Sequence, residues 1–194
     1  MKLFEIIDSE ILKLLKEQHD EVVVPDVRRI YEKLISPIGT FEEYLQYTSN
    51  IFPNSKVKKI VYRAGLLKLN QHMGGIWFGE SEGDVNKFSK EVRGYSNNTI
   101  HYCLINLQNP KYYDMGHWHG YIRAVDKLRD DRDRLMDILI SEGYDGIIID
   151  RDTWNDGDRK YRVTSEQYVV FNTNQIYSLG VENDINEFQR YLEN

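Results

Sequence analysis

The spacing of apolar residues changes character along the chain, and that change divides it. From Phe4 to about Lys16 the apolar positions Phe4, Ile7, Ile11, Leu14 and Leu15 recur at helical intervals among acids and lysines. A second helix is predicted from Asp26 to about Leu34, after Pro25, with Val27, Ile30, Tyr31 and Leu34 on one side; Pro37 and Gly39 mark the turn behind it. Thr40 then stands three residues before Glu43. In that arrangement the hydroxyl accepts the Glu43 amide hydrogen and the Glu43 carboxylate reaches back to the cap amide. The third helix should therefore start at Phe41 and run to about Thr48, burying Phe41, Tyr44 and Leu45, with Pro53 to Ser55 ending it.

Beyond this point the period shortens. Val57 with Ile60 to Tyr62 reads as a strand, Ile76 to Phe78 as another, and Ile100 to Leu107 as a third, bounded by Asn109 and Pro110. A charged segment carries an apolar stripe of Val125, Leu128, Leu135, Ile138 and Leu139, and this helix should stop at Gly143. Two further strands are expected, Gly146 to Ile149 and Tyr168 to Phe171. The run Gly-Ile-Ile-Ile is apolar in both directions, which suits a strand inside the sheet. Helices first, then strands with one helix among them, give an α+β class.

At 194 residues and 41% hydrophobic content the chain is long enough for one sizeable core. Its formal charge of −6, from 25 basic and 31 acidic residues, repels a nucleic-acid backbone on average. No apolar stretch approaches a membrane span and the acidic N-terminus is unlike a signal peptide, so the expectation is a soluble, unprocessed, cytoplasmic protein with no membrane partner. Cys103, the only cysteine, lies in an apolar run and is expected to be a buried free thiol.

The segment Gly74 to Phe88 is the most informative for chemistry. Gly74 and Gly75 permit an unusual turn or a close approach to a ligand, and a short strand follows with Trp77 and Phe78 on opposite sides. A helix after it could return Phe88 toward Trp77. Two aromatic faces so placed could clamp a flat cationic ring through stacking and cation–π attraction.

These residues carry a resemblance. From Asn54 to Gly180 the chain resembles the ADP-ribosyltransferase superfamily, most nearly its small bacterial and phage-associated branch with a poly-ADP-ribose-polymerase-like core. Val61-Tyr62-Arg63-Ala64-Gly65 is similar to the family's first motif, Gly75-Ile76-Trp77-Phe78 with Phe88 eleven residues beyond Trp77 to its second, and the runs ending at Asn109–Pro110, Ile149 and Gln175–Ile176 to its later strands. The resemblance implies a split mixed/antiparallel sheet preceded by a helical lobe, divided as lobe 1–54, NAD-binding core 55–181 and a short C-terminal helix 182–194. It implies NAD as substrate, held by Tyr62, Arg63, Ala64, Trp77 and Phe88, with Arg63 on the ribose and the Ala64 backbone on the nicotinamide amide. Trp154 falls in what would be the target-recognition loop. The implied activity is transfer of a single ADP-ribose to a macromolecular acceptor, protein or nucleic acid, with nicotinamide released. NAD hydrolysis and a degenerate NAD-binding or protein-interaction module are the alternatives. A bacterial or phage-infected cell is the implied setting, with delivery as a toxin or effector a variant of it.

The third motif departs from the pattern. The family's glutamate precedes the last apolar strand, where this chain has Gln167, with Glu166 one residue earlier. Adjacent side chains on a strand leave opposite faces, so Glu166 takes that place only through a bulge. A glutamine hydrogen-bonds a hydroxyl but supplies neither charge nor a base, which should slow a carboxylate-assisted reaction by about 10²-fold or more. Arg63, Gln167 and Glu166 are therefore the catalytic candidates.

Other readings rank lower. Asp114, His117 and His119 supply too few ligands for a closed metal site, and Asp150 to Asp158 lacks the glycine offset and twelfth-position glutamate of a calcium loop, so no metal is expected. The N-terminal helices, with acids at Glu32, Glu42 and Glu43 against Arg28, Arg29 and Lys33, read as a supporting lobe rather than a DNA-reading module. No dinucleotide fingerprint or phosphate loop is present. Oligomeric state is left open by the sequence.

Overall fold

The computed structural model describes residues 23–65, 67, 75–93, 99–113, 131–150 and 165–194. The predicted Phe4–Lys16 helix, Trp154, and the Asp114, His117 and His119 group lie outside these residues. Helix α1 spans Val23–Ile30 and continues into a π-helical turn, Tyr31–Ile35. That turn corrects the predicted stripe. One extra residue per turn carries Ile35 into the core, fully buried, and leaves Leu34 40% exposed. Helix α2, Phe41–Ile51, begins with the expected capping box: the Glu43 amide donates to Thr40 Oγ1 at 3.3 Å and the Thr40 amide to Glu43 Oε2 at 2.7 Å.

The strands are β1 Val61–Ala64, β2 Ile76–Gly79, β3 Ile100–Ile105, β4 Pro110–Tyr113, β5 Gly146–Ile149, β6 Gln167–Val170 and β7 Ile176–Ser178. Between them lie α3 Glu82–Arg93 and α4 Asp131–Ser141, and α5 Glu182–Leu192 follows β7. Together the strands form one seven-stranded sheet in the order β4-β5-β6-β2-β1-β3-β7. All neighbours are antiparallel except β4 and β5. A parallel pair needs a crossover, and α4 lies in the chain between these two strands. This is a mixed sheet with flanking helices, an α+β architecture.

Two boundaries differ from the periodicity. Val57 is buried but precedes β1, because Ser55 ties the chain to the end of β3 instead: its Oγ donates to Ile105 O at 2.7 Å and accepts the amides of Val57 and Leu107. Pro110 begins an edge strand rather than closing one, a position that needs no amide donor. Strand β5 is buried along its whole length between β4 and β6, as its unbroken apolar run requires. Gly75, at φ +131, passes so near β6 that a Cβ there would lie 2.7 Å from the Val170 carbonyl oxygen.

The described helices pack on one face of the sheet. Tyr62, Tyr102, Leu104 and Tyr177 project into a cluster with Val27, Tyr44, Leu45 and Phe188 from α1, α2 and α5; the helical lobe and the sheet thus share a core. On the same face, Ile147, Ile149, Val169 and Phe171 meet Leu139 of α4 and partly buried Trp77. Helix α3 also lies there, since Val85 packs on the first cluster and fills the space a Cβ at Gly79 would need. The opposite face carries Val61, Phe78, Cys103, Ile148, Tyr168 and Val170. Cys103 is the buried free thiol expected; burial pushes its pKa up to about 12. Among the described residues, no helix is long and apolar enough to cross a membrane.

Candidate functional site

Strands β1 and β2 are the weakest join in the sheet. They pair only through Tyr62 and Gly79, whereas β1 matches β3 over four residues and β2 matches β6 over four. The sheet therefore consists of two well-bonded halves, β4-β5-β6-β2 and β1-β3-β7, that part just past Tyr62. Arg63 is the next residue. Its Nη1 donates to the Trp77 carbonyl at 2.8 Å, so a side chain satisfies a backbone acceptor at the place where the strand ladder stops. Gly65 follows at φ +86 and turns the chain away, its amide bonded to Thr99 O at 3.0 Å.

Continuous register fixes which side each polar group takes. Between β2 and β6 the partners run without interruption from Ile76 with Val170 to Gly79 with Gln167, and the backbone of Glu80 and Glu166 continues the ladder. No bulge intervenes. Gln167 thus leaves on the face of Trp77 and Val169, and Glu166 on the face of Tyr168 and Phe78. Arg63 pairs with His101 across β1 and β3 and shares the face of Glu166. The two candidates for the carboxylate position are divided by the sheet, and the charged one is on the arginine's side.

That side also gathers Lys59 and Glu80. Lys59 Nζ lies 2.8 Å from Glu80 Oε1 and 3.1 Å from Glu166 Oε2, and the Tyr168 hydroxyl donates to the same Glu166 oxygen. The Glu166 amide donates to Glu80 Oε2 at 3.1 Å. The Glu166 carboxylate is therefore held by both Lys59 and Tyr168 at the start of the interior strand β6. Burial works against the Lys59 charge, but the hydrogen bonds to Glu80 and Glu166 outweigh it and hold the ammonium's pKa above its ordinary value. Next to Arg63, burial lowers the pKa of the half-buried His101 imidazole; a bond to the Gly65 backbone opposes this and the guanidinium charge adds to it. The ring is the neutral base form at neutral pH.

The remaining sequence candidates are distributed differently. Tyr62 is a core residue, 3% exposed, with its hydroxyl on Asp26 and its ring edge-to-face with Tyr102 at 5.6 Å. Its side chain fastens α1 to the sheet. Trp77 and the helix bearing Phe88 lie on one side of the sheet. The indole rests on the α4 cluster, while Phe88 is 47% exposed and joins none of the apolar clusters of the described residues. Ala64 is half-buried on that same side. The Arg63 guanidinium meets the Trp77 backbone.

Sequence reasoning missed His101, Lys59 and Glu80. A histidine on a half-buried strand and a lysine before it carry no signal until strand pairing sets them beside Arg63 and Glu166. A separate shallow cleft under α1 and α2 is lined by Val27, Leu45, Phe52, Val57 and Leu104, with Thr48, Ser49 and Lys58 as polar members. The hydroxyls bond to Leu45 O and the ammonium to Pro53 O, so its polar groups are turned inward on the backbone.

The fold and site together define an α+β domain whose mixed sheet is least paired between β1 and β2, with Arg63, His101 and Glu166 on one face of it. No protein-family model, curated protein or solved structure matches the chain.

Proposed function

We propose that the chain transfers a single ADP-ribose from NAD to a macromolecular acceptor and releases nicotinamide. The observation that carries this reading is the end of β1–β2 pairing at Tyr62 and Gly79, with the Arg63 guanidinium bonded across it to the Trp77 carbonyl. A dinucleotide entering there meets three requirements of the chemistry. Arg63 donates to the ribose hydroxyls of the nicotinamide half. The backbone at Ala64 offers amide groups to the carboxamide, with Trp77 and the exposed Phe88 bordering the ring from the α3 side. Glu166, on the side of Arg63, supplies negative charge toward the ribose cation that develops as the glycosidic bond breaks and its electron pair leaves with nicotinamide. Gln167, on the other face, contributes at most a hydrogen bond.

The hold of Lys59 and Tyr168 on Glu166 favours a second reading, an NAD-binding module without turnover. The two separate in one experiment. Nicotinamide release and NAD binding are measured on the parent and on Arg63→Ala. Transfer predicts release that falls by about 10²-fold or more in the variant, the scale of losing a group that meets developing charge. Binding without release in the parent, lost in Arg63→Ala, selects the module. Release that survives Arg63→Ala unchanged refutes both.

A further inference from the structure

We propose that Glu80 is a positioning residue for Glu166: it shares the Lys59 ammonium with Glu166, so that one negative charge of the group stays uncancelled, and it fixes the backbone from which the Glu166 carboxylate projects. The inference rests on the NAD reading above, in which Glu166 faces the ribose cation, and names what keeps that carboxylate effective. Glu80 meets Glu166 through three of its own atoms. Its amide donates to the Glu166 carbonyl at 3.0 Å, continuing the β2–β6 ladder. Regular antiparallel pairing would return the Glu166 amide to the Glu80 carbonyl. Instead that amide donates to Glu80 Oε2 at 3.1 Å, so a side chain closes the ladder. The remaining oxygen, Oε1, accepts from Lys59 Nζ at 2.8 Å.

The lysine is thereby divided. Glu166 receives Lys59 Nζ at 3.1 Å and the Tyr168 hydroxyl on one oxygen, Oε2, and among the described residues its Oε1 accepts no hydrogen bond. One ammonium faces two carboxylates, and the tyrosine adds a donor without charge, so the group keeps a single net negative charge at neutral pH. The Lys59 and Glu80 side chains are mostly buried, where salt screens little. Without the Glu80 charge the ammonium would belong to Glu166 alone and cancel it. A cation forming on the ribose would then lose its stabilisation, while bound NAD, whose positive charge is still on the nicotinamide ring, would lose less.

The test measures nicotinamide release by the full chain at neutral pH, with kcat and KM separated, for the wild type, Glu80→Gln and the double variant Glu80→Gln/Lys59→Met. Glutamine keeps the size of Glu80 and an acceptor for the Glu166 amide but not the charge. In Glu80→Gln kcat should fall by roughly tenfold or more while KM changes far less, the scale of one unit charge acting over about 10 Å at an effective dielectric of about 20. Removing the lysine as well leaves Glu166 with its charge uncancelled, and kcat should return most of the way to the wild-type value. A purely structural role predicts the reverse, because the double variant has lost a further contact to Glu166. Unchanged kcat in Glu80→Gln, a loss confined to KM, or a double variant no faster than Glu80→Gln overturns the role of Glu80 alone. No nicotinamide release by the wild type overturns the NAD-transfer reading and this proposal with it.

Discussion

Replacing Lys59 with methionine tests the charge network that holds Glu166. In the native chain one ammonium serves two carboxylates at 2.8 and 3.1 Å, with side-chain exposures of 19% for Lys59, 10% for Glu80 and 26% for Glu166. Because both oxygens reach the same nitrogen, they lie no more than about 6 Å apart; at an effective dielectric of about 20, two negative charges at that distance repel by roughly 3 kcal/mol. Lys59→Met removes the cation and leaves this repulsion with two poorly solvated carboxylates, in the range of about 3–5 kcal/mol seen when one member of a buried pair is deleted. For a chain of this length that corresponds to a drop in melting temperature of roughly 6–20 °C. Urea unfolding at neutral pH, with the slope m checked for constancy, measures it directly. Adding Glu80→Gln to the lysine variant should recover part of the loss, since only one charge then remains. The native contribution has a defined pH window. The folded-state pKa of Lys59 is raised above 10.5, so its stabilisation is fully present below 10.5 and is lost as pH rises through the folded value. A Lys59→Met protein within about 1 kcal/mol of the parent would show that water screens the network like any surface ion pair, and the argument for a held Glu166 would fall.

Two further outcomes follow from packing and burial. Gly146→Ala should destabilise by about 2–3 kcal/mol or yield little folded protein, because the new Cβ would lie 2.4 Å from both the Val169 carbonyl oxygen and Leu107 Cδ2; parent-like unfolding would contradict this contact. Asp184 is fully buried, accepting from the Tyr44 hydroxyl and the Gly180 amide at 2.7 Å each, and its Oδ1 has no hydrogen-bond partner among the described residues. Burial raises its pKa above 3.8 despite those two bonds, so native stability should decline as pH rises from 3.8 through the folded value and level off above it. Asp184→Asn should remove that part of the slope, which stability curves collected at several pH values would detect.

Much of the local structure was legible in the chain itself. Thr40 and Glu43 specify where α2 starts, through a bond pattern that needs only four consecutive residues. Gly143 ends α4, and the run Ile147–Ile149 demands cover on both faces, which β5 receives between β4 and β6. Alternation also settled that Glu166 and Gln167 face opposite ways. Each of these follows from contacts or periods spanning a few residues.

The tertiary structure decided what lies beside what. Alternation assigns sides within one strand, but only hydrogen-bonded register relates the sides of different strands. The pairing of Arg63 with His101, the common face of Arg63 and Glu166, and the end of β1–β2 pairing past Tyr62 all depend on segments far apart in sequence. The π turn that exchanges Leu34 for Ile35, and the Ser55 side chain that replaces ladder bonds before β1, are likewise choices made by packing against the sheet. Local propensity is an energy of neighbours along the chain. The arrangement of charge at the site is an energy of neighbours in space, and no single segment contains it.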